Sequence, residues 1–129
     1  MYVFKTTGGR TNPASIIKDA LIKAAQRGVA IKVLLERESG PESTINSENE
    51  YTARRLAKGG VTVYFDSPRE RTHAKAIVID SRYTFIGSHN LTSSALQHNR
   101  EISLLIDSED VAKETARYIE EMIRKTGRL

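Results

Sequence analysis

Apolar and polar positions along the 129-residue chain alternate between two periods, and the changes of period mark its elements. Tyr2-Val3-Phe4-Lys5-Thr6 is rich in aromatic and β-branched residues and predicts a strand. Asn12 before Pro13 predicts an N-cap with proline at the first helical position. Ile17, Ala20, Leu21, Ala24 and Gly28 then recur at helical spacing, and Gly28 ends the helix. Val29 to Leu35 is apolar except for Lys32, which predicts a largely buried strand. Strand, helix and strand form a βαβ unit, so the first two strands are expected to run parallel. Arg37 to Asn46, with Gly40-Pro41, reads as a loop. Ser47-x-x-Glu50 reads as a capping box opening a helix to about Lys58, stopped by Gly59-Gly60. Val61 to Phe65 predicts the third strand and Asp66 to Arg71 a charged loop.

Two further apolar runs, Ala74 to Ile79 and Tyr83 to Ile86, flank Asp80-Ser81-Arg82 and predict a hairpin. Leu91 to Asn99 reads as a helical turn and loop, and Glu101 to Asp107 as the last strand. From Ser108 onward, Val111, Thr115, Tyr118, Ile119 and Met122 mark one face of a C-terminal helix, with Glu120/Arg124 and Glu121/Lys125 as i,i+4 pairs. The expected fold is α/β, a mixed β-sheet flanked by helices on both faces, in one domain over residues 1–129.

The chain has no cysteine, which excludes disulfides, thiol catalysis and cysteine zinc sites. No signal-like start or long apolar run appears, so a cytoplasmic chain is expected, with a membrane an improbable partner. Net charge is +4, and the excess lies in Met1 to Arg37 and Tyr51 to Arg82, each with seven Lys/Arg. Glu38 to Glu50 carries four Glu and no basic residue. Charge alone fits a polyanionic partner and a plain solvated surface equally well.

Chemistry concentrates in the hairpin. The start of one antiparallel strand lies beside the end of the other, so His73, Lys75, Ser88 and Asn90 should converge at the end away from the turn. An imidazole serves as nucleophile or proton carrier near neutral pH. Lysine, hydroxyl and amide donors hold a phosphate and its developing charge. The set has neither a carboxylate cluster for magnesium nor ligands typical of zinc, so it points to phosphoryl transfer with no metal or other cofactor. Asp80 lies five residues beyond Lys75, roughly 16 Å along a strand and on the opposite face, so it is expected to be structural, capping the turn or pairing with a basic residue. Gly87 is expected to permit close backbone approach. Glu101 is the candidate to hydrogen-bond His73 and fix its tautomer. His89 should point away, and His98 sits in a polar loop. Thr92, Ser93 and Ser94 either bind phosphate or cap a turn. Arg69, Arg71 and Arg100 flank the site as candidates for backbone phosphates.

His73-x-Lys75, four residues, Asp80, six residues, Gly87-Ser88-x-Asn90 resembles the signature of the phospholipase D superfamily. Asn99-x-Glu101 resembles the acidic position after that signature, and Ala20 to Val33 resembles the family's helix, Arg-Gly-Val turn and strand. With a single copy of the motif, the chain resembles the superfamily's small bacterial and archaeal nucleases, which pair two subunits to build one site. The resemblance implies a homodimer and a metal-independent endonuclease of little sequence preference, working through a phosphohistidine on His73. It also implies that the family's N-terminal helix and the start of its first strand are absent here. A lipid phosphodiesterase or phosphatidyl transferase uses the same core, and a nucleic-acid-binding module with a decayed site is a third reading. The intact His73, Lys75, Ser88, Asn90 and Glu101 set argues against decay, and the 6% aromatic content gives no stacking platform.

Overall fold

The computed structural model describes residues 1–9, 11–40, 43–67 and 69–128; Pro41, in the loop expected over 37–46, lies outside them. Helix α1 (Pro13–Gln26) starts where expected, with the Asn12 side chain accepting from the Ala14 N–H. Then come β1 (Lys32–Leu35), α2 (Thr44–Lys58), β2 (Thr62–Phe65), β3 (Ala76–Ile79), β4 (Tyr83–Gly87), α3 (Ser93–Gln97), β5 (Ser103–Asp107), α4 (Glu109–Arg124) and β6 (Gly127–Arg128). The fold is mixed α/β, as expected. Among the described residues its strands form two three-stranded sheets, β1-β2-β6 and β3-β4-β5. β1 and β2 are parallel, β6 adds antiparallel to β2, and the second sheet is antiparallel throughout. Helix α2 packs on β2, and α4 packs on β3 and β4. Leu34 and Leu35 are both buried although neighbours on a strand point to opposite faces, so β1 is covered on both sides. Among the described residues no helix is long and apolar enough to cross a membrane.

Phe4, Ala14, Leu35, Ala53, Leu56, Val61, Val63, Phe65 and Leu91 form the core. The segment expected as the first strand shrinks to one parallel bridge, Phe4 with Leu91. Side chains hold it instead. Asn49, wholly buried on α2, accepts from the Phe4 N–H at 2.9 Å and donates to the Tyr2 carbonyl at 2.9 Å and the Glu36 carbonyl at 3.0 Å. The Thr52 hydroxyl donates to the Phe4 carbonyl at 2.6 Å. These bonds give buried backbone groups the partners a ladder would otherwise supply. The segment also bonds to Leu34 and Glu36 on one side and Leu91 on the other, so it ties the end of β1 to the stretch that follows β4.

Other differences have local causes. The N-cap of α2 lies four residues before the expected one, because the Ser43 side chain caps the helix by accepting from the Asn46 N–H. Asn46 meanwhile bonds both backbone groups of Glu38 and closes the loop. The two pairs expected on α4 do not form as read: Glu120 bonds Lys32 at 2.7 Å, and Arg124 approaches Glu121 at 4.0 Å. Strand β6 was not expected, since a Gly-Arg pair after a helix carries no strand pattern.

Candidate active site

The hairpin forms in the expected register, with Ala76 opposite Ile86 and Ile79 opposite Tyr83. Its turn needs positive φ at two residues, Asp80 at 53° and Ser81 at 52°, and is closed by the Arg82 N–H donating to the Ile79 carbonyl at 3.1 Å. Asp80 thus belongs to the turn, at the far end of the hairpin from His73. Arg82 pairs with Asp107 across the sheet, not with Asp80.

At the open end, Thr72 to Lys75 have no regular secondary structure, and the first paired residue of β3 is Ala76. The His73 ring is exposed and lies against Tyr2, with ring centroids 4.6 Å apart. Lys75 is buried, 6% exposed. Its ammonium donates to the His73 carbonyl at 2.6 Å and lies 3.1 Å and 3.2 Å from the two ring nitrogens, so it meets whichever carries the lone pair. It also sits 5.0 Å from the centre of the Tyr2 ring. Burial pushes this ammonium below the ordinary lysine value, and the Glu101 carboxylate partly offsets that.

Glu101 does not reach His73. It accepts from the Ser88 hydroxyl and, at 3.1 Å, from the Asn99 amide. These two bonds, helped by the charges of His89 and Lys75, hold its carboxyl below the usual carboxylate range. The Ser88 hydroxyl also accepts from the Ile102 N–H at 3.0 Å, and the Ile102 carbonyl lies 3.3 Å away as a second acceptor beside Glu101. Asn90 accepts from the Val3 N–H at 3.2 Å through its side-chain oxygen, and its amide nitrogen has no partner among the described residues. His89 points to β5, with Nδ1 2.7 Å from the Ser103 hydroxyl. Gly87 serves β5 as well: a Cβ there would overlap Ser103 and the Ile102 carbonyl.

The flanking candidates divide. Arg71 meets Glu38 at 3.5 Å, and Arg100 is exposed. Thr92 caps α3 by accepting from the Ala95 N–H, while Ser93 bonds Gln97. Of the two roles left open for Thr92, the structure shows capping. A cleft of about 270 Å³ opens beside His73, between Asp66, Arg69 and Arg71 on one side and Tyr118, Glu121 and Met122 of α4 on the other.

The sequence profile of the family described as cardiolipin synthase, PLD-like domain, matches residues 1–123. The chain belongs to the phospholipase D-like family. Among the curated relatives of this phospholipase D-like chain, a phospholipase D of Rickettsia typhi is 32% identical over 100 residues, covering 77% of this chain and 46% of the relative. A cardiolipin synthase B of Salmonella typhi is 34% identical over 95 residues, covering 73% of this chain and 22% of the relative. The chain therefore spans less than half the length of these two relatives. The crystal structure of Nuc, a phospholipase D family member from Salmonella typhimurium, superposes with a TM-score of 0.80 at 23% identity, covering 99% of this chain and 77% of that one. At that identity the likeness concerns the fold.

Three residues that flank His73 without joining the candidate site escaped sequence reasoning: Tyr2 against the His73 ring, and the acids Glu36 and Asp66 that hold Thr72. Tyr2 left no signal, because strand patterns do not say which distant strand is a neighbour. Glu36 and Asp66 did leave one, since each is a carboxylate directly after an apolar strand, where parallel sheets build sites.

Proposed function

We propose that this chain is a phosphodiesterase domain that cleaves nucleic acid as a two-fold homodimer. The observation that carries the reading is the exposed His73 imidazole in contact with the buried Lys75 ammonium at the open end of the hairpin, where the Asn90 amide nitrogen has no partner among the described residues. A His73 ring nitrogen attacks phosphorus, forming an N–P bond, and the bond to the leaving oxygen breaks. His73 of the second copy gives that oxygen a proton. Water then attacks the phosphohistidine, its proton passes to the second histidine, and the N–P bond breaks. The Lys75 ammonium moves from the His73 ring to the phosphate oxygens, where the Asn90 amide joins it. Ser88 can donate to the phosphate by turning its hydroxyl away from Glu101 and the Ile102 carbonyl, and before substrate binds it fixes that carboxylate. No step needs a metal.

The basic excess in the residues that lead into and flank the motif supports a polyanionic substrate, with exposed Arg69 and Arg100 available to backbone phosphates. A second reading, lipid phosphodiester cleavage or transfer, is favoured by the names of the curated relatives, phospholipase D and cardiolipin synthase B. Plasmid DNA, RNA and phospholipid vesicles, each with and without EDTA and beside His73→Ala, separate the two. The expected result is nucleic-acid cleavage that survives EDTA and disappears in the variant. Turnover of lipid alone transfers the assignment to the second reading, and cleavage undiminished in His73→Ala refutes the histidine mechanism.

A further inference from the structure

His73 sits in a stretch with no ladder, between the end of β2 at Phe65 and the start of β3 at Ala76. A nucleophile on unpaired backbone needs another source of order, since misplacement by about 1 Å can cost about a hundredfold in rate. The order comes from the neighbouring sheet. Leu35 and Phe65 are register partners at the ends of β1 and β2, and each is followed by an acid, Glu36 and Asp66. Both acids are buried, 2% and 8% exposed, and among the described residues neither forms a salt bridge. Each turns an oxygen toward Thr72, itself 5% exposed. The Thr72 N–H donates to Glu36 Oε2 at 2.6 Å, and the Thr72 hydroxyl donates to Asp66 Oδ2. The other Asp66 oxygen accepts from the Ser67 N–H at 2.7 Å, and Met122 Sδ of α4 lies 3.7 Å from the Thr72 hydroxyl. On the far side, the Lys75 ammonium holds the His73 carbonyl. The main chain is thus gripped immediately before the imidazole and again directly after it.

Two buried carboxylates side by side with no salt bridge, met only by longer-range positive charge such as that of Arg71, are a costly way to hold a loop. Burial, with Asp66 adding to it, raises the Glu36 carboxyl above its ordinary value, against the pull of the Thr72 N–H. Apolar side chains of similar volume would hold the fold at lower cost. What they could not do is fix one backbone N–H and one hydroxyl by direction.

We infer that Thr72, gripped by Glu36 and Asp66, is a positioning residue that sets where the His73 ring stands. The geometry is independent of the activity proposed above; only the rate consequence rests on it.

The test compares Thr72→Val, which removes the hydroxyl donor at nearly constant volume, with Thr72→Ser and Glu36→Gln, which keep the donor and an acceptor. Two readouts are taken: the His73 imidazole NMR signals without substrate, and kcat and KM on a chromogenic phosphodiester. Thr72→Val should shift or broaden the His73 signals and lower kcat about ten- to a hundredfold, leaving KM within about twofold. Thr72→Ser and Glu36→Gln should retain wild-type values. If Thr72→Val does not fold, Thr72→Ala carries the same expectation, having no methyl to press against the two acids. A folded valine or alanine variant with wild-type His73 signals overturns the inference. If the wild-type protein turns over no phosphodiester, the proposed function falls, and the ring signals alone still decide the inference.

Discussion

Lys75 carries the sharpest expectation at the scale of single residues. Its folded-state value lies below the ordinary 10.5 because burial disfavours the ammonium. The cost of burying the charge is therefore fully present below the folded value, and it fades as pH rises toward the unfolded value. The same shift takes the cation from the site earlier than from a free lysine. Cleavage should fall on an alkaline limb below pH 10.5. Lys75→Arg keeps its charge across this range and should lose the limb even if its maximal rate is lower. Initial rates from about pH 7 to 11 for both proteins decide it; identical limbs would assign the titration elsewhere. His73, Lys75, Ser88 and Asn90 were legible because hairpin register alone brings them to one end. The partner of Glu101 was not. Its position along the chain could be read, but its bond depends on how the Asn99 loop folds back onto Ser88, which no periodicity encodes.

Among the elements, the N-terminal segment departs furthest from the pattern. Tyr2 to Thr6 has the composition of a strand, yet its backbone groups are met by Asn49 and Thr52 of α2 and by Leu91. Sequence reasoning treats polar residues inside a helix as its solvent face, so a buried asparagine that substitutes for a ladder is invisible to it. Asn49→Ala should therefore behave as a core mutation. It leaves one buried N–H, one buried carbonyl and one part-buried carbonyl without their partner, at a cost of about 2–4 kcal/mol. Denaturant unfolding of wild type and variant measures it, and a loss below about 0.5 kcal/mol would show that water replaces the side chain. Helices α1 and α4 and the hairpin were readable because their apolar period is strong. The start of α2 was displaced by a side-chain bond, Ser43 with Asn46, which overrides local propensity.

At the scale of the molecule, one chain supplies one His73, and the proposed chemistry uses two. A two-fold pair satisfies this with a single interface type. Sedimentation at the concentrations used for assays should give twice the 14.4 kDa of the chain. Equal amounts of wild type and His73→Ala, allowed to exchange subunits, should retain about a quarter of the activity and not half, since only unmixed wild-type pairs keep both histidines. The basic excess predicts steep weakening of nucleic-acid binding with salt, a dependence that a neutral lipid surface would not show. The central claim is that the His73 imidazole itself bonds to phosphorus. Acid-free quenching during turnover, followed by mass analysis of the peptide spanning Thr72 to Lys75, tests this directly. The account predicts a phosphoryl adduct on His73 that decays when substrate is exhausted. An unmodified His73 throughout turnover, with cleavage proceeding at its normal rate, would contradict it.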